Sequence, residues 1–371
     1  MRFLKTRSLS AKGKLVLHLA FLFALVFFVS ACEDDDNNGN RLYENGAFVV
    51  NEGAWGANNA SVSFISYEDG IVTEDLFKAA NGSEAKLGDV LMDLDVVGRD
   101  VYMVLNTSNK VQVVNKDDFS WTTTIEGLDN PRYAEPFNGK LYVTQWGNGG
   151  SVAVIDQASN TVESTIGVGN GPEGILVYDN LLWVANSGGY TKDNSVSVID
   201  PATKTVVKTI EVADNPQHMV IDANGDVWVV CFGYLQYATE PPYGIEQETP
   251  SALVRIDAGT KTVEKTITIH NNEHPAYIGV STDGQTLYVG GGYTYNGIYA
   301  VSIDADSYPA TKFADGNFYG FSVNPANGDL YGCQAPSFTK AGTVVVLDAN
   351  TGAVKSSYND GIGIGPRKVV F

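Results

Sequence analysis

A chain of 371 residues with 43 acidic against 24 basic side chains carries a formal charge of −19. That balance excludes nucleic acid as a partner, because affinity for nucleic acid comes from neutralising phosphates. Its three cysteines, Cys32, Cys231 and Cys333, lie far apart, and the last two are expected as buried thiols and not as a disulfide.

Residues 1–31 hold Arg2, Lys5, Arg7, Lys12 and Lys14, no acid, and then an apolar run from Leu15 to Val29. This reads as a secretory signal, and the run falls short of the ~20 residues that a membrane-spanning helix needs. Val29-Ser30-Ala31-Cys32 has the form of a bacterial lipobox, which predicts Cys32 as the lipidated first residue; cleavage of an ordinary signal nearby is the alternative. Residues 32–41 are acidic and Asn-rich, too polar to bury, and read as a flexible tether. Asp34, Asp36, Asn38 and Gly39 imitate the start of a calcium-binding loop, yet the twelfth position is Asn45 where that loop needs Glu, so no metal is expected.

From residue 42 onward one pattern recurs every ~40 to 50 residues, the signature of a propeller or solenoid. Its opening clause reads NPRYAEPF from Asn130, GPEGILVY from Gly171, NPQHMVID from Asn215 and HPAYIGVS from His274. The chain then ends in GPRKVVF, residues 365–371, an opening clause with nothing after it. Such a strand must complete a sheet begun at the N-terminus, which predicts an all-β, seven-bladed β-propeller over residues 42–371, closed by its tail.

The second strand of each blade is expected at 47–51, 101–105, 141–145, 182–186, 227–232, 287–291 and 330–334. A column of aromatics, Tyr102, Tyr142, Trp183, Trp228, Tyr288 and Tyr331, repeats in these strands and is assigned to packing between blades. Asp156, Asp200, Asp257, Asp304 and Asp348 each end an alternating strand before a turn, where a carboxylate satisfies free backbone N–H groups. Recurrent residues therefore describe the scaffold, and function is to be sought where the repeat breaks.

An antiparallel meander puts the loops after the second strands and the entries to the first strands on one face. The turns of the opposite face are short and bland, as at Asn138, Asp179, Asp222 and Thr282. The first set carries aromatics flanked by Gly and Asn: Trp55 with Asn58, Trp146, Tyr190, Tyr293 with Tyr295, Phe338, and an 18-residue insertion from Gly233 to Pro250 with Tyr234, Tyr237 and Tyr243. The entries offer Arg132, Glu173, Gln217, Ala276, Tyr319 and Arg367, with His218, Tyr277 and Phe318 beside them. Corresponding positions with differing residues suit an asymmetric ligand. Aromatic faces with amide and carboxyl groups in a broad cup suit one that is large and partly planar or polyhydroxylated.

No GxSxG elbow and no HExxH pair occurs, and His218 with Glu173 is a weak base candidate, so a non-enzymatic binding protein with no cofactor is expected. A lactonase-like hydrolase is the catalytic alternative.

The blades resemble the YVTN and YncE-like seven-bladed propellers. The segments FVVNEGAWGANNASVSFISYEDG and LGDVLMDLDVVGRDVYMVLN are similar to a group of Bacteroidota lipoprotein propellers that includes the BtuG type. The acidic stretch after Cys32 is similar to the signal that places such lipoproteins on the outer face of the outer membrane. The resemblance implies capture of a corrinoid such as vitamin B12 at the cell surface and its transfer to a BtuB-like TonB-dependent transporter. Another large nutrient (a glycan, haem or siderophore) or a protein partner remains the alternative ligand.

Overall fold

The computed structural model describes residues 42–371, and Leu42–Phe371 form one compact unit. The expected signal, tether and Cys32 lie outside the described residues.

Seven antiparallel sheets and one small two-stranded ribbon make up the unit. The innermost strands, in ring order, are Pro366–Val370, Leu91–Val97, Pro131–Phe137, Pro172–Tyr178, Pro216–Ile221, Tyr277–Val280 and Gly320–Val323. Pro366–Val370 pairs with the first strand, Gly46–Asn51, so the tail supplies the inner strand of the first blade and closes the ring. The expected second strands are all present, at Gly46–Asn51, Asp100–Leu105, Lys140–Gln145, Leu181–Asn186, Val227–Cys231, Thr286–Gly290 and Leu330–Gln334.

The aromatic column packs across blade boundaries. Tyr102 lies with Leu141 and Val143 of the following blade, Trp183 with Val227 and Val229, Trp228 with Leu287 and Val289, and Tyr331 with Ala47 and Val49 across the closure. Phe48 fills the same role in the first blade, beside Leu91 and Val101. Burying a large aromatic removes ~150–250 Å² from water, and truncating one costs ~3–5 kcal/mol. Seven such contacts in series hold the blades as a ring with no free end.

The turn aspartates behave as expected in four of five blades. Asp156 Oδ1 accepts from Ser159 N at 2.7 Å, Asp200 from Ala202 N at 2.8 Å, Asp257 from Thr260 N at 2.5 Å and Asp348 from Thr351 N at 3.0 Å. Asp304 departs because its blade has only three strands. The segment that should form the fourth contains Asp306, Ser307 and Pro309, and a proline without an N–H cannot join a ladder. A single bridge, Ile298 to Ala314, stands in its place.

Cys231 and Cys333 are free and buried. Burial pushes the Cys333 thiol up to about 12 and the Cys231 thiol higher still, which leaves both inert.

Candidate functional site

A β-bulge sits at the upper end of five inner strands, just past the entry proline or its equivalent. Register shifts occur between Leu91 and Asp93, Pro131 and Ala134, Pro172 and Ile175, Pro216 and His218, and opposite Val50 and Asn51 around Arg367. A bulge sets two residues against one and re-aims their side chains. Consecutive residues that a regular strand would point to opposite faces both turn toward the channel here.

The channel is thereby split into two cavities. Arg132, Glu173, Gln217 and Ala276 form the floor of an upper cup of about 630 Å³. The next residue of each strand, Tyr133, Gly174, His218 and Tyr277, faces a lower cavity of about 560 Å³. No residue borders both.

The partition between them is a buried polar network centred on Arg367. Its Nη1 donates to Glu52 Oε2 at 2.8 Å and its Nη2 to the hydroxyls of Tyr133 at 2.7 Å and Tyr277 at 2.9 Å. Tyr319 donates to the same Glu52 oxygen at 2.7 Å. Burial works against the Arg367 charge, but the surrounding tyrosine and carboxylate oxygens outweigh it and hold its pKa above the ordinary arginine value. His218 is sandwiched in this layer, stacked on Tyr277 at 4.8 Å and edge-on to Tyr133 at 4.7 Å. Burial, reinforced by Arg367, Lys368 and Arg132, lowers its pKa to about 3, so the ring is neutral and a weak base.

The cup is built from loops on this floor. Arg132 Nε and Nη2 both reach Glu173 Oε1, at 3.0 and 2.9 Å, and its guanidinium lies 4.3 Å from the Trp146 ring centroid. Burial raises the Glu173 pKa while Arg132 opposes it. Tyr190 meets Trp146 edge-on at 5.1 Å and is 92% exposed. The 18-residue insertion folds as a ribbon, Leu235–Tyr237 with Ile245–Glu248, and brings Tyr234, Gln236 and Tyr237 to the opposite wall. Thr249 ties the ribbon base down, donating to Asp214 at 2.7 Å and accepting from Tyr234 N at 2.9 Å. Two buried polar atoms at the cup, Trp146 Nε1 and Asn215 Oδ1, have no hydrogen-bond partner. Such atoms cost ~1–3 kcal/mol each unless something pairs with them.

Seven of the sequence candidates thus meet in the cup: Arg132, Trp146, Glu173, Tyr190, Gln217, Tyr234 and Tyr237. Arg367, His218 and Tyr277 lie one layer lower, and Tyr319 stands at the partition through Glu52. Tyr293 and Phe338 stack at 5.9 Å as a separate pair, with Phe338 edge-on to Tyr319. Trp55 is 82% exposed, and Asn58 borders a separate small cleft. Tyr295 turns inward, buried against Tyr299 with its hydroxyl 3.1 Å from that of Tyr308, where it fills space beside the missing fourth strand. Phe318 is likewise a core residue, packed with Tyr288 and Leu330. Sequence reasoning missed Ser187, Asn215, Phe232 and Gln236 in the cup, and Glu52, Met92 and Tyr133 at the partition.

His270-Asn271-Asn272-Glu273-His274 has the spacing of an HxxEH metal pair, but the segment is an irregular loop and not a helix. His274 is committed elsewhere: its Nε2 bonds Glu248 at 2.9 Å and its Nδ1 the Phe232 carbonyl, which fastens the ribbon. Among the described residues no group of three His, Cys, Asp or Glu side chains is placed to hold a metal ion.

Fold and cavities define a seven-bladed propeller with a divided channel. The chain belongs to the family described as DUF5074, a domain of unknown function, whose model matches residues 45–363. None of the curated proteins matches. Among solved structures it is similar to a quinoprotein alcohol dehydrogenase-like protein from Bacteroides thetaiotaomicron, at 15% identity and a TM-score of 0.62, covering 88% of this chain and 78% of that one. It is also similar to the periplasmic gluconolactonase of Pseudomonas aeruginosa (13% identity, TM-score 0.60, 87% and 98% covered) and to hydrazine synthase of Kuenenia stuttgartiensis (18%, 0.53, 68% and 74%). At these identities the likeness shows the fold alone.

Proposed function

We propose that this protein is a non-enzymatic, lipid-anchored surface protein that captures a corrinoid in the upper cup and passes it to a BtuB-like TonB-dependent outer-membrane transporter. The observation that carries the reading is the cup: a wide recess of about 630 Å³ walled by Trp146, Tyr190, Tyr234 and Tyr237, with two buried polar atoms awaiting partners. A corrin offers a broad, partly planar ring for the aromatic faces and peripheral amides for Trp146 Nε1, Asn215 Oδ1 and Gln217. Each aromatic anchor fixes ligand area at low entropic cost, since the rings have few torsions to freeze. The anchor at Cys32 and the outward-facing location rest on the lipobox and the acidic tether, and the transporter on the family resemblance.

Absence of a base supports binding over hydrolysis. His218 is neutral and lies beneath the cup floor, and Glu173 is paired with Arg132 through Oε1. Calorimetry with cyanocobalamin tests the reading: saturable binding with a micromolar or lower Kd is expected, and no heat at micromolar concentrations overturns it.

A further inference from the structure

The lower cavity has no place in that reading, and the bland turns around its mouth gave no sign of it. It extends from the Arg367 layer down to Ser281, Thr282 and Pro325, of which Thr282 and Pro325 are exposed, so it opens on the face opposite the cup. Its volume of about 560 Å³ falls within the ~300–1,000 Å³ range of small-molecule sites. One wall is apolar, formed by Ile175, Met219, Ile278, Val280 and Phe321.

The other wall is ionic and unbalanced. Asp93, Asp95 and Glu135 face the cavity with Lys368. Lys368 Nζ is bonded to Asp93 Oδ1, and Asp93 Oδ2 also accepts from Ala134 N at 3.1 Å. Arg367, in the roof, is committed to Glu52. That leaves Asp95 and Glu135 to share with Asp93 the charge of one lysine, which is hydrogen-bonded to Asp93 alone. Asp95 Oδ2 is buried and accepts no hydrogen bond, while Glu135 takes only the Val177 backbone N–H. Burying carboxylates in this way is costly unless a donor arrives. The remaining titratable groups that face them, His218, Tyr133 and Tyr277, are held in the roof stack.

We propose that the lower cavity is a second binding site, for a small organic ammonium compound whose apolar body lies against Ile278 and Phe321 and whose N–H groups donate to Asp95 and Glu135. A free metal ion would waste the apolar wall, and no group of ligating side chains is placed to hold one among the described residues. An anion would meet a wall of three carboxylates facing a single lysine. The unoccupied site lowers its own cost by protonation. Burial and then Asp93 raise the Asp95 pKa, and burial with Asp93 raises Glu135 to about 7, in both cases against the opposing charge of Lys368. An arriving ammonium must displace those protons, so binding strengthens as pH rises.

The probe is 2-phenylethylamine, with 2-phenylethanol as its neutral counterpart of equal size, titrated into the purified protein by calorimetry. For nine heavy atoms at the low end of ligand efficiency the expected Kd is about 10 mM or tighter. The alcohol should bind at least tenfold more weakly, and affinity for the amine should rise several-fold between pH 5.5 and 8. Asp95→Asn with Glu135→Gln should abolish the preference for the amine, whereas Trp146→Ala, in the cup, should leave it unchanged. Equal binding of amine and alcohol, no binding at the expected concentration, or a flat pH response overturns the proposal on the unaltered protein, whether or not the double variant folds. Loss of amine binding in Trp146→Ala would also overturn it by moving the probe to the cup.

Discussion

The two ends of the channel are made from the same strands but solve different problems. Above the Arg367 layer, the cup is built from loops of unequal length, Arg132 and Glu173 are paired with each other, and Tyr190 and Tyr237 stand exposed. Below it, the cavity is built from the strands themselves, one wall is apolar, and the carboxylates of the other outnumber their partners. Loop walls can vary without disturbing the ring, whereas a charge inside an inner strand loads the scaffold itself. The cup therefore reads as a surface shaped for a large ligand, and the lower cavity as a strained interior that a small cation relieves.

The largest expected effect abolishes both regions together. Deleting residues 366–371 removes the strand that closes the first blade along with Arg367 and Lys368, and no cooperative thermal transition should remain; a sharp transition near that of the intact chain would show the ring to be stable while open. Next comes the partition. Arg367→Met leaves the half-buried Glu52 without its cation and the Tyr133 and Tyr277 hydroxyl oxygens without their donor, a change that should cost ~3–5 kcal/mol in urea denaturation. A loss under ~1 kcal/mol would mean that the two cavities are not held apart by this layer.

Smaller effects separate the halves. Trp146→Ala should weaken cyanocobalamin binding by ~1–3 kcal/mol, and Trp146→Phe by about 1 kcal/mol, since the second keeps most of the face and loses only Nε1. Equal losses would assign the role to Nε1 and none to the aromatic face. Glu135→Gln should act only below. Because the folded pKa of Glu135 is raised to about 7, from an ordinary value near 4.5, the native state binds the extra proton between those values. Stability from this group is therefore complete below pH ~4.5 and is lost as pH rises through about 7, by roughly 1–3 kcal/mol. The variant should flatten that part of the pH–stability curve, and an unchanged slope would place the titration elsewhere.

Much of the scaffold could be read from residues because it repeats. Tyr102, Trp183 and Trp228 occupy one position in successive blades, and a position repeated around a ring has one job. The cup was partly readable for the opposite reason, since Trp146, Tyr190 and the ribbon tyrosines interrupt the pattern. What periodicity could not supply is the bulge. Alternation predicts that Arg132 and Tyr133 point to opposite faces, whereas the register shift after Pro131 turns one to the cup and the other to the lower cavity. Tyr295 was misplaced because GYTYN looks like any other rim loop, and only the absence of a fourth strand provides the gap it fills. The lower cavity did leave a signal: Asp93 and Asp95 in LMDLDVV, Glu135 in PRYAEPF and Lys368 in PRKVV are charges inside strands that should otherwise be buried.

The closing strand bears on when the protein becomes functional during its synthesis. Arg367 reaches Glu52 across 315 positions of sequence and Lys368 reaches Asp93 across 275, so the divider and the ionic wall are assembled from the two ends of the chain. Contacts of such separation form late, after the cost of closing a very long loop has been met. A nascent chain can pair its middle blades but has neither a divided channel nor a finished lower wall. Both cavities are thus finished only when residues 366–370 pair with the first blade, so neither can exist in a chain that still lacks them.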